Sequence, residues 1–179
     1  VREHLHGEVR RPGILGDPQR RSVSGGRSGA IGNRISQHRD IAAVKINVVY
    51  HSDVGFDKTF NDPEWGKTTA VSMIDKGADI IFAGASDTGN GALLGAAQKG
   101  VMAIGMDVDA YEAVPEAKTA MLSSGMKLIA EATFEQIKQA ASGAFKSGEV
   151  MGGVALAPYH DYDAKVPADV KAKMQEILK

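Results

Sequence analysis

The chain has 179 residues, 43% hydrophobic and 24% charged, with a formal net charge of −1. That is ordinary composition for one soluble domain or for part of a two-lobed protein. The absence of cysteine excludes disulfide scaffolds, zinc–thiolate sites and thiol nucleophiles from this stretch. Near-neutral charge argues against a nucleic-acid partner held by a broad phosphate-neutralising surface. No apolar run approaches the roughly 18 residues that suggest a membrane span, and no signal peptide is read at the start.

Composition changes sharply near Asp40. All eight arginines precede residue 40 and all thirteen lysines follow it. Residues 1–40 also lack Phe, Tyr, Trp and Met, and seven of them are glycine. Such a stretch buries too little apolar surface to offset its ordering entropy, so it is expected to be disordered. A basic nucleic-acid-binding arm would mix Lys with Arg. The absence of Lys fits a stretch foreign to the following domain, vector-derived or read in a wrong, GC-rich frame.

From Val44 the elements alternate. Lys45–Tyr50 is β-branched and alternating, and reads as a strand. Asp62 is placed to cap a helix that has Pro63 in its first turn, Ala70, Met73 and Ile74 on its apolar face, and Gly77 as its stop. Residues 79–84 read as a buried strand, 90–99 as a helix ended by Gly100, and 101–106 as another buried strand. Recurrence at this spacing predicts βαβ units, hence a parallel sheet with ligand-binding loops at the strands' carboxyl ends. After a longer polar stretch come a short segment at 120–126, a helix at 131–145, a strand at 152–157 and a closing helix at 167–178. The last carries Val170, Met174, Ile177 and Leu178 on one side.

Three carboxyl-end loops concentrate the polar chemistry: residues 59–63, 85–91 and 106–109. The middle loop opens a helix, so its backbone N–H groups and hydroxyls are placed to receive a polar or anionic ligand. Gly89, Gly91 and Gly95 form G-x-G-x-x-x-G, with Asp107 eighteen residues after the first; this is similar to a dinucleotide fingerprint with its ribose-binding acid. Asp107 and Asp109 suit a general acid–base pair, metal ligands or acceptors for a sugar diol, of which the last is the most economical. No histidine adjacent in sequence completes a hydrolytic set, so no catalytic residue is assigned. His160-Asp161-Tyr162-Asp163 looks like a metal tetrad on paper, but a polar loop is the simpler reading, and no metal or cofactor is expected. Phe60 is either core or an aromatic platform for a flat ligand, and Lys127 either a solvated cation or a ligand contact.

Six motifs occur in order: Phe60-Asn61-Asp62-Pro63 with Gly66-Lys67, Gly77 to Phe82, Thr88-Gly89-Asn90-Gly91, Ala103 to Asp109, Ser123-Ser124-Gly125-Met126-Lys127 and Leu156 to Asp161. Together they resemble the basic membrane protein family of ABC-transporter substrate-binding lipoproteins, which includes purine nucleoside receptors. The resemblance spans roughly residues 44–179. It implies an α/β, type I periplasmic-binding-protein-like fold: two lobes hinged around a nucleoside cleft. The present chain would supply the second lobe and the late returns, with the first lobe and its lipid-attachment cysteine missing or replaced by residues 1–40. Carried over by position, Phe60 is similar to the aromatic that stacks on the base, Asp107 to the acid that binds the ribose hydroxyls, and Lys127 to a ligand-contacting lysine. Ser86-Asp87-Thr88-Gly89 stands where the family usually has Gly-Gly-Thr-Gly; the resemblance makes Ser86 and Asp87 ligand-binding positions, and their side chains disfavour a close backbone approach to the ligand and point to an altered base or sugar preference.

The resemblance thus implies a non-enzymatic, extracytoplasmic receptor with a nucleoside ligand and ABC permease subunits as partners, held at the membrane by a lipid anchor that this chain lacks. A chain presenting one side of the cleft alone is expected to bind weakly and to self-associate through its undocked apolar face. Two other classes stay open: a fragment of a Rossmann-type NAD(P)-dependent oxidoreductase, and a ligand-sensing regulator with the same fold. The regulator would need helix-turn-helix periodicity in residues 1–40, where Gly and Pro interrupt almost every helical window.

Overall fold

The structure is a computed structural model that describes residues 6–9, 44–51 and 54–178. In chain order the strands are β1 (His6–Val9), β2 (Ile46–Val49), β3 (Ile80–Ala83), β4 (Met102–Asp107), β5 (Met121–Leu128) and β6 (Gly153–Leu156). The helices are α1 (Phe56–Thr59), α2 (Pro63–Asp75), α3 (Ser86–Lys99), α4 (Ala110–Ala113), α5 (Ile129–Ala141) and α6 (Ala168–Ile177), with 3-10 turns at Pro115–Ala120 and His160–Lys165.

The six strands form one sheet in the order β2-β1-β3-β4-β5-β6. β3, β4 and β5 pair in parallel, as βαβ spacing dictates. β1 is antiparallel to both β2 and β3, so β2 runs in the same direction as the parallel trio. β6 pairs antiparallel with β5. The sheet is therefore mixed at its margins, and the four strands β2 to β5 bring their carboxyl ends to one edge. A four-residue piece of the Arg/Gly-rich segment, His6–Val9, is a strand in this sheet and separates β2 from β3. The remaining residues of 1–40 lie outside the described ones.

The core lies between the sheet and the α2–α3 pair. Ile81 and Ala83 point into it, as do Ala70 and Met73 from α2 and Ala92, Leu93 and Ala96 from α3. It is built from small side chains, so the two helices approach until backbone meets backbone. A Cβ on Gly66 would overlap the Thr88 carbonyl, one on Gly91 the Pro63 carbonyl, and one on Gly95 would stand 2.9 Å from the Lys67 carbonyl oxygen. Helix ends follow the local signals. The Asp62 carboxylate accepts from Trp65 N at α2's start, and Gly100 closes α3 at φ 66°.

The opposite sheet face is less covered: Phe82, alternating with the buried Ile81 and Ala83, is 37% exposed. α5 buries no residue and shows Ile129, Phe134 and Ile137 to solvent, and on α6 Val170 and Ile177 are exposed while Met174 and Leu178 are half-buried. Amphipathic periodicity identifies these helices, but among the described residues their apolar sides are only partly covered. No helix among the described residues is long and apolar enough to cross a membrane.

Candidate functional site

The carboxyl edge of β2 to β5 is shaped by how the chain leaves each strand. After β3, α3 begins at Ser86, four residues earlier than the sequence suggests, because Gly89 and Gly91 sit inside the helix rather than in a loop. Its first turn then holds the neighbouring loop. Thr88 N donates to the Phe60 carbonyl at 3.2 Å, and Thr88 Oγ1 accepts from Asp62 N at 2.8 Å. These Thr88 groups, which the sequence reading offered to a ligand, are used by the fold itself.

Beside α3's start lies a cavity of about 160 Å³ whose wall includes Ser86, Asn90, Met106 and Asp107. Ser86 and Asp107 both have positive φ, 47° and 75°, a conformation that costs a serine about 1–2 kcal/mol and an aspartate less. Asp107 ends β4, and the turn of its backbone presents the carboxylate at the strand's tip. There its Oδ1 stands 2.7 Å from Lys127 Nζ on β5, one residue beyond the Asp107–Met126 register pair. Oδ1 is closed off from solvent and makes no well-aligned hydrogen bond. The side chains of Lys127 and Asp107 are 56% and 42% exposed, so this ion pair contributes at most about 1 kcal/mol to folding. For Ser86, substitution by glycine is expected to raise stability by about 0.5–1 kcal/mol by removing the backbone strain, a gain that urea unfolding will measure.

The structure thus places Ser86 and Asp107 on one cavity wall, with Lys127 paired to Asp107 but itself outside that wall. Asp87 is exposed, outside the cavity wall, and accepts from Asn90 Nδ2 at 3.2 Å. Phe60 is half-buried on the α1–α2 loop and also outside that wall. Asn90, inside the 85–91 loop but not singled out there as a ligand contact, is also a wall residue. Starting α3 at Ser86 would have found it, since Ser86, Asn90 and Leu93 recur at helical spacing on the cavity side.

A second arrangement escaped a reading confined to sequence neighbours. His160, at φ 43°, places Nε2 2.8 Å from Asp109 Oδ2 and stacks on Tyr111 with ring centroids 4.0 Å apart. Tyr111 in turn donates to Asp161 Oδ2 at 3.1 Å. Partial burial, and then that carboxylate, holds the phenol above its usual pKa. The Asp109 carboxylate also accepts from Tyr111 N and caps α4. His160 and Asp161 are therefore engaged in packing this turn, and among the described residues no group of three or more His, Cys, Asp or Glu side chains is placed to hold a metal ion.

The glycine pattern similar to a dinucleotide fingerprint has a different use here. Gly91 and Gly95 face α2, where their missing Cβ atoms permit the helix–helix contact. They do not open a path for a pyrophosphate, which removes the physical basis of that reading.

The carboxylate of Asp62 is held below its usual range by the backbone hydrogen bond from Trp65, and next by the bond to His51. A depressed carboxylate pKa stabilises the folded state fully above the ordinary value of 3.8, and this contribution is lost as pH falls below it. Acid unfolding monitored between pH 5 and 2 is expected to show this dependence, and Asp62→Asn, which keeps an N-cap acceptor, should flatten it.

Residues 42–153 match the family model Bmp, described as ABC transporter substrate-binding protein PnrA-like. The match covers more than half of the chain, which therefore belongs to this family of substrate-binding proteins, a non-enzymatic one. Three solved structures are similar. A transcriptional activator of the comK gene from Bacillus halodurans is 16% identical with a TM-score of 0.57, over 66% of this chain and 42% of that one. An ABC transporter solute-binding protein from Conexibacter woesei is 23% identical with a TM-score of 0.53, over 66% and 39%. Another from Aeropyrum pernix is 29% identical with a TM-score of 0.46, over 65% and 34%. The first two show the fold, α/β with flanking helices of the periplasmic-binding-protein kind. The chain spans about two fifths or less of each solved chain.

Proposed function

We propose that this chain is the ligand-holding part of an extracytoplasmic solute-binding protein that takes a nucleoside and delivers it to an ABC permease without chemical turnover. The observation that carries the reading is Asp107: a strained residue at a strand's carboxyl end, its carboxylate in the cavity wall and fixed on one side by Lys127. With Oδ1 against the ammonium, Oδ2 is the oxygen open to hydroxyl donors, and a vicinal diol is the complementary group. Ser86 and Asn90 add a hydroxyl and an amide on the same wall. At about 160 Å³ the cavity is smaller than the roughly 300 Å³ at which pockets begin to bury a whole small ligand. It suits the pentose, leaving the base to stack on Phe60 and on an opposing lobe. A lipid anchor outside this cysteine-free stretch would hold the assembled receptor at the membrane.

Isothermal titration of a two-lobed protein carrying residues 44–179 with adenosine, guanosine, inosine, uridine and cytidine tests the reading. Micromolar or tighter binding of at least one is expected, about −8 kcal/mol or stronger. Silence for all five removes the nucleoside and leaves the family assignment standing.

A further inference from the structure

Phe60, the residue read above as the base platform, sits on a loop too short to hold a conformation by its own packing. Among the described residues, four hydrogen bonds that tie this loop to neighbouring elements converge on two residues, Thr88 and His51. Thr88 supplies one pair, to Phe60 O and Asp62 N. His51 supplies the other. Its backbone oxygen accepts from Thr59 Oγ1 at 3.0 Å, and its ring Nε2 lies 3.1 Å from Asp62 Oδ2. Residues 59 and 62, on either side of Phe60, are thus both tied to the residue at which β2 leaves the sheet.

The ring of His51 is itself fixed. The residue is 7% exposed and stacks on Trp65 with centroids 3.9 Å apart and planes inclined by 10°. Trp65 lies in the first turn of α2, the helix that Asp62 caps through Trp65 N. An imidazole held between an indole face and a carboxylate has little rotational freedom, so Asp62 is held in one place. A buried ring that only filled space would require the stack and not the Asp62 contact.

We propose that the His51 side chain is a positioning group for ligand binding: through Asp62 it sets the loop that presents Phe60, beside a backbone bond to Thr59 that any residue at 51 would keep. The inference rests on the reading of Phe60 as a ligand contact, but its structural half is testable without ligand. Two variants separate the roles of the ring. His51→Phe keeps an aromatic face for Trp65 and loses the bond to Asp62; His51→Gln keeps a donor and loses the stack. Trp65 is the single tryptophan, so its emission reports whether the stack is kept.

In the ligand-free chain, His51→Phe is expected to speed amide exchange at Asp62 and Thr88 at least tenfold, with Ala92 to Ala96 of α3 unchanged, and His51→Gln to restore slow exchange. In the two-lobed protein, His51→Phe is expected to weaken nucleoside binding about tenfold and His51→Gln to recover most of it. Unchanged exchange at Asp62 and Thr88 in His51→Phe, or loss spread evenly over α3, overturns the proposal. Local loosening with undiminished affinity overturns its functional half. A wild-type protein that binds no nucleoside, yet shows the local exchange pattern, instead overturns the function proposed above and leaves the loop-setting role intact.

Discussion

Asp107→Ala is expected to lower nucleoside affinity by about 30- to 150-fold, or 2–3 kcal/mol, in a two-lobed protein carrying this chain. The loss has two sources. Ligand hydroxyls that donated to the carboxylate are left unpaired in a closed cleft, and the Lys127 ammonium, 2.7 Å from Oδ1, loses its counter-charge beside the ligand. Removing the side chain also touches the fold, because the backbone here is at φ 75°. Alanine tolerates that region less well than aspartate, whereas glycine enters it freely. Asp107→Gly is therefore expected to lose affinity to the same degree while gaining stability, and Asp107→Ala to lose both. Asp107→Asn keeps an acceptor without the charge and should lose about tenfold. Calorimetric titration alongside urea unfolding separates these outcomes. An affinity that follows stability across the three variants, or that is unchanged in Asp107→Gly, would place the ligand elsewhere.

Much of the framework was legible because it depends on local signals. Asp62-Pro63 marked the start of α2, Gly100 the end of α3, and the apolar runs marked β3 and β4 to within a residue or so. What local patterning does not carry is partner identity. Nothing in His6–Val9 distinguishes it from its glycine-rich surroundings, because a strand's pairing is decided by long-range backbone hydrogen bonds rather than by its own composition. The same limit hid the antiparallel return of β6.

The candidate site divides in the same way. Asp107 and Lys127 are each recognisable at a strand terminus, but their approach to 2.7 Å depends on the register of β4 against β5. The 85–91 loop, which includes Thr88, reads in sequence as ligand-facing because a loop before a helix normally leaves its donors free. Thr88 is instead bonded to Phe60 and Asp62, since α3 packs against the start of α2. His160 and Asp109, paired across 51 residues, are brought together by the return after β6.

Gly91→Ala is expected to destabilise the chain by about 2 kcal/mol, whereas Gly89→Ala, two residues earlier in the same helix, is expected to stabilise it by up to about 1 kcal/mol. Helix propensity alone favours alanine at both positions by a similar amount. The difference lies in what the added methyl meets. At Gly89 the nearest atom is 3.7 Å away, an ordinary contact with Ala83. At Gly91 the methyl overlaps the carbonyl of Pro63, the first residue of α2, which can yield only if α2 moves away from α3. Thr88 would move apart from the loop it holds, so Phe60 would also lose its place. Urea unfolding of the two variants tests this account: equal stabilities, or a less stable Gly89→Ala, would show that the α2–α3 contact does not set the requirement for glycine.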